Sequence, residues 1–176
     1  MKRYHCRCLI ISIICFALGA LVLFGIIGCT MARAADWLTI ETRRATLYYQ
    51  SAQDYEKYRK KIVATNYVFS EVLTILGVSL ADLREMGKIK IYIHPDKKSL
   101  HATYYRIFKK PCPYRAWYTH KLKSIYVNIK DFRRGMLAHE MGHAVVDHYF
   151  VIRPTKAMRE ALAKYVERKM RQKDSP

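Results

Sequence analysis

The sequence predicts an α+β domain, helices packed on one small sheet, behind a membrane-targeting leader. Two observations carry the fold class. Short alternations of apolar and polar residues are segregated from long stretches of helical periodicity, and the order is strands, helix, strand, helix, hairpin, two helices rather than strict βαβ alternation. The 176 residues are 51% hydrophobic and 26% charged with only 7 Gly and 5 Pro, which excludes collagen-like, disulfide-scaffold and wholly disordered chains.

The leader comes first in the chain. Leu9 to Cys29 carry no charge and follow a basic stretch with Lys2, Arg3 and Arg7. Such a run is long enough to span a bilayer, and the cationic side stays cytoplasmic, so residues 36–176 are expected outside the cytoplasm. Three fates of residues 1–34 fit: cleavage after Ala34 at the small-x-small site Ala32-Arg33-Ala34, retention as an anchor, or lipid attachment at Cys29. Four of the five cysteines, Cys6, Cys8, Cys15 and Cys29, fall in this segment. Cys112 is then the one thiol of the domain, which must be held by its core, or by a metal, without an internal disulfide.

Trp37 to Thr42 and Ala45 to Tyr49 alternate as two strands around Arg43-Arg44. From Ala52 to Leu76 the apolar positions Tyr55, Tyr58, Ile62, Tyr67 or Val68, Val72, Ile75 and Leu76 recur near helical spacing, and Gly77 supplies the stop. Lys88 to His94 reads as a strand with Ile89, Ile91 and Ile93 on its buried face. Asp96 caps a helix reaching about Phe108. After the break at Pro111-Cys112-Pro113, Arg115 to Thr119 and Ser124 to Ile129 form a hairpin across His120 to Lys123. Two helices close the domain, about Asp131 to Tyr149 and Thr155 to Arg171, separated by a turn containing Pro154.

The chemistry concentrates in the first of these helices. His139-Glu140-Met141-Gly142-His143 is a His-Glu-x-x-His motif, and four residues on a helix turn by about 400°, so both imidazoles leave one face and can share a metal. Glu140, about 100° round from His139, can meet a metal-bound water as general base instead of binding the metal. A third ligand is expected at Glu160, one turn into the last helix, because a turn over Val151 to Pro154 folds that helix back antiparallel. Asp147 lies on the same stripe as the two histidines and suits a supporting role. Ala144-Val145-Val146-Asp147-His148 lacks the Gly and third His of a metzincin, which disfavours a three-histidine site. For Glu160 the alternative is a solvated residue paired with Lys156 or Lys164. His94 reads as a strand-end residue, and His101 and His120 as hydrogen-bonding or surface groups.

These residues resemble the gluzincin metallopeptidases, and among them the compact peptidase-MA-like domains of exported bacterial proteins. In that family a second helix reading close to Glu-Gly-x-Ala brings the third ligand, and Glu160-Ala161-Leu162-Ala163 stands at its place here. Ala161 for Gly, and a short spacing between His143 and Glu160, depart from the pattern. The resemblance implies a zincin-like mixed sheet, one Zn2+ per chain on His139, His143 and Glu160, and hydrolysis of a peptide or protein by metal-activated water with Glu140 as general base. It further implies that an edge strand near Ser124 to Asn128 holds the extended substrate; His148, His120, Tyr149 and Tyr165 stay open as oxyanion donors.

Lys and Arg number 32 against 14 Asp and Glu, a formal charge of +18. With an export signal and no nucleic-acid fold signature, the expected partner of Lys57, Arg59, Lys60, Lys61 and the basic tail is an anionic membrane surface, not nucleic acid. Plain solvation of these charges is the alternative. The rival to an enzyme is a non-catalytic envelope binding or assembly protein that keeps the fold. Glu140 argues against that rival, because a binding module needs no carboxylate beside the first ligand.

Overall fold

A computed structural model describes residues 37–42, 44–83 and 87–174; the leader expected over 1–34 lies outside them. Among the described residues the elements are β1 (Leu38–Glu41), β2 (Ala45–Tyr49), α1 (Ala52–Leu76), a 3-10 turn (Leu80–Asp82), β3 (Ile89–His94), α2 (Lys97–Phe108), β4 (Ala116–Thr119), β5 (Ser124–Asn128), α3 (Arg134–Tyr149) and α4 (Lys156–Asp174). The architecture is α+β: five strands in one mixed sheet with four α-helices. No helix among the described residues is long and apolar enough to cross a membrane.

The strand order is β1-β2-β3-β5-β4. The β1–β2 and β4–β5 pairs are antiparallel, whereas β2–β3 and β3–β5 are parallel, their crossovers made by α1 and α2. Leu47, Ile91, Ile125 and Tyr118 are in register across four strands, and so, on the opposite face, are Tyr48, Tyr92, Tyr126 and Trp117. The period of two thus sorts the sheet into an aliphatic face and an aromatic one. The aliphatic face meets Val68, Phe69 and Val72 of α1 and Leu137, Met141 and Val145 of α3 in the main core. The aromatic face carries a smaller cluster with Leu100 and Tyr104 of α2. Its rings stack along the register, with centroids 4.5 Å apart for Tyr48–Tyr92, 4.8 Å for Tyr92–Tyr126 and 3.8 Å for Trp117–Tyr126.

Local chemistry sets the element ends. The Ser51 hydroxyl accepts the Asp54 N–H at 3.0 Å to start α1, and Gly77 ends it at φ 65°, a left-handed turn that costs glycine nothing. Asp96 caps α2 by accepting the Ser99 N–H at 2.8 Å. Helix α3 starts later than the expected Asp131. Asp131 instead accepts the Asn128 side-chain amide at 3.1 Å, Phe132 turns back on Ile129, and Arg133 becomes the cap. Helix α4 runs past Arg171 to Asp174, where Asp174 pairs with Arg134 at 2.8 Å and Lys173 pairs with Glu71 of α1.

One expectation is corrected by the strand order. Ser124–Asn128 is not an edge strand: β5 lies between β3 and β4, and every one of its residues is buried. The edge beside α3 is β4. A hairpin pattern does not say which of its strands pairs outward, and here β5 carries apolar groups for both faces of the sheet, which suits an interior place.

Candidate metal centre

Helix α3 is buried along most of its length, with Leu137, Ala138, Met141, Ala144 and Val145 in the core. His139 and His143 leave its one open stripe, their ring centroids 4.9 Å apart. Helix α4 returns antiparallel across α3, as its contacts show: Asp147 meets Arg159, Gly142 meets Ala163 and His139 meets Glu167. The two backbones come close at Gly142, where an added Cβ would stand 3.3 Å from Ala163 Cα. That contact lets the first turn of α4 bring Glu160 over the histidines.

The result is a three-residue group. Glu160 Oε1 is 3.4 Å from His143 Nε2 and Glu160 Oε2 is 3.8 Å from His139 Nε2. One ligand atom from each of His139, His143 and Glu160 falls within 4.8 Å of the others, so the group could hold a metal ion. Tetrahedral ligands about 2.1 Å from zinc are about 3.4 Å apart, close to the two separations made by Glu160.

Glu167, which the sequence reading gave no role, completes the histidine geometry. A carboxylate only accepts, so His139 donates its Nδ1–H to Glu167 Oε2 at 3.1 Å, leaving Nε2 as the lone-pair nitrogen facing Glu160. Arg171 fixes the other oxygen of Glu167 at 2.5 Å. The available signal was the spacing of Glu160 and Glu167, two helical turns apart on one stripe.

Glu140 is buried beside the group, and its carboxylate accepts the main-chain N–H of Tyr118 on β4. Burial pushes its carboxyl up to about 8, the Tyr118 N–H opposes that, and the nearby Glu160 and Glu167 carboxylates add to it. Burial, with help from His139, holds the His143 imidazole down to about 4, so it is neutral and able to ligate.

The edge strand closes the site from the other side. Arg115 accepts from the Asn128 N–H, so alternation places Trp117 and Thr119 on the β5 side and turns the main-chain groups of Ala116 and Tyr118 outward. A cleft of about 310 Å³ runs between this edge and the metal group, lined by His139, Glu140, His143, Glu160, Ala116 and Tyr118 and extending to the rings of α2. None of the four residues left open as oxyanion donors lines it.

No protein-family model, curated protein or solved structure matches the chain. The site's chemistry therefore rests on its own atoms.

Asp147 has the supporting place its stripe suggested. Its buried carboxylate takes both Arg153 Nε at 2.9 Å and Arg153 Nη2 at 3.0 Å, with His120 Nδ1 at 3.3 Å and Arg159 Nε at 3.7 Å. This ties the α3–α4 turn and the β4–β5 turn to one anchor, next to the residue that precedes Glu160. His94 is a buried strand-end residue, as expected, with Nδ1 2.8 Å from Ser99 Oγ and its ring between Trp37 and Tyr126.

Proposed function

We propose that the chain is an exported zinc-dependent metallopeptidase of the gluzincin type, with His139, His143 and Glu160 as metal ligands and Glu140 as general base. One juxtaposition carries the reading: a His/His/Glu group, a buried carboxylate beside it and the outward main chain of an edge strand share one cleft. The donor set of two imidazole nitrogens and one carboxylate fits zinc with a position left for water. Zinc held there supplies a polarised carbonyl and an acidified water.

The chain's own residues do the rest. An extended peptide pairs with the outward groups of Ala116 on β4, which sets its scissile carbonyl towards α3. The Glu140 carboxylate takes a proton as the water oxygen bonds to the carbonyl carbon, and returns it to the amine nitrogen as the C–N bond breaks. The Tyr118 N–H keeps that carboxylate aimed into the cleft. Glu167 holds the His139 ring in the one orientation that offers Nε2. The uncharged run Leu9 to Cys29 behind a basic start supports delivery outside the cytoplasm.

The test is elemental mass spectrometry of the purified protein with His143→Ala and Glu160→Ala, followed by a peptide-library digest with Glu140→Gln. We expect about one zinc per wild-type chain, a substantial loss in both ligand variants, and cleavage abolished in Glu140→Gln with zinc retained. A folded wild type that takes up no zinc on titration overturns the reading. Zinc binding without any cleavage would favour the binding-protein alternative.

A further inference from the structure

We infer that the cleft has a side-chain subsite beyond the metal group, built by four aromatic rings, that takes a bulky apolar residue of the substrate, Phe, Tyr, Trp or Leu. This inference rests on the peptidase reading. The cleft that holds His139, Glu140, His143 and Glu160 continues round the outer edge of β4 to Tyr104, Phe108, Tyr114 and Trp117. These rings form one nest. Tyr104 stands 4.5 Å from Phe108, 5.8 Å from Tyr114 and 5.3 Å from Trp117, and Phe108 is 5.5 Å from Trp117, all between centroids.

The nest has a packed floor and an open lip. Tyr104 and Trp117 are buried and lock α2 to the sheet, whereas Phe108 keeps 37% and Tyr114 49% of its surface exposed. Packing alone asks for the first pair. The second pair leaves ring surface facing the cleft, where another ring or a branched aliphatic chain gains edge-to-face or offset contact.

Strand geometry says which substrate residue reaches it. A segment lying along β4 sends successive side chains to opposite faces. Those on the face of Ala116 and Tyr118 meet α3 and the metal group, and those on the face of Trp117 meet the nest, so the preference should sit at one fixed position near the scissile bond.

The experiment uses the zinc-loaded full chain and peptides differing at that position only, with two readouts. In cleavage, kcat/KM for Phe should exceed that for Ala by at least about tenfold, and Phe108→Ala and Tyr114→Ala should each bring the Phe/Ala ratio towards one at unchanged zinc content. Binding of the same peptides to zinc-loaded Glu140→Gln, by fluorescence anisotropy, should show the same order. Cleavage without a Phe/Ala preference, or a preference that survives both variants, overturns the subsite and leaves the peptidase standing. If no peptide is cleaved the peptidase reading falls, and the anisotropy ratio alone then decides: Phe over Ala, lost in a Glu140→Gln/Phe108→Ala protein, supports the subsite, and equal binding overturns it.

Discussion

Glu167 shows how much one carboxylate decides at the residue scale. By accepting the His139 Nδ1–H it selects the tautomer and holds the ring, and Arg171 holds it in turn. Glu167→Ala should weaken zinc binding by about 10–100-fold without unfolding the chain, with Glu167→Gln intermediate, as read by competition against a chromogenic chelator. Glu140 makes a pH-dependent prediction for the metal-free protein. Its folded pKa, about 8, stands above its ordinary 4.5. The stability it contributes is therefore complete below about pH 4.5 and is lost as pH rises through about 8. Urea unfolding with a chelator present should show wild type losing a few kcal/mol, on the order of 3, relative to Glu140→Gln between pH 4.5 and 8.5. The gap should stop depending on pH only about a unit or more below 4.5, where Glu140 is protonated in both states, and again about a unit above 8.

Helix pairing carries the site at the element scale. Gly142 on α3 and Ala163 on α4 are small where the two backbones come close, which lets Glu160 span the gap to the histidines. Gly142→Val forces branched carbons against backbone, and we expect a loss of about 1–3 kcal/mol in thermal unfolding together with reduced zinc content, since the same displacement carries Glu160 away. Much of this level was legible in the sequence. The alternation Ile89, Ile91, Ile93 and the i, i+4 spacing of His139 and His143 are local periodicities, and each element met its expected type. The start of α3 was not, because Asp131 is bound by a residue outside the helix, Asn128. Glu167 was hidden for a related reason: on a helix rich in charge, nothing local separates a histidine-binding carboxylate from a solvated one.

For the whole molecule, metal binding and folding should be one equilibrium. The candidate ligands come from α3 and α4, which also meet through core contacts, the Asp147 cluster and the His139–Glu167 and Arg134–Asp174 pairs. Zinc at about 100 times its Kd should stabilise the folded state by about 2.7 kcal/mol, seen as a higher Tm that chelation reverses and that Glu160→Ala lacks.

The sequence by itself determined the element types, the α+β class and the candidates His139, Glu140, His143 and Glu160, because helix and strand periods are written within a dozen neighbouring residues. Tertiary structure alone decided that β4 and not β5 is the edge, that Glu160 reaches both histidines, that Glu167 and Tyr118 serve His139 and Glu140, and that four rings from α2 and the β4 approach share their cleft. Each of these depends on which distant segments bury surface against one another. That is a property of the whole core, and no local pattern encodes it.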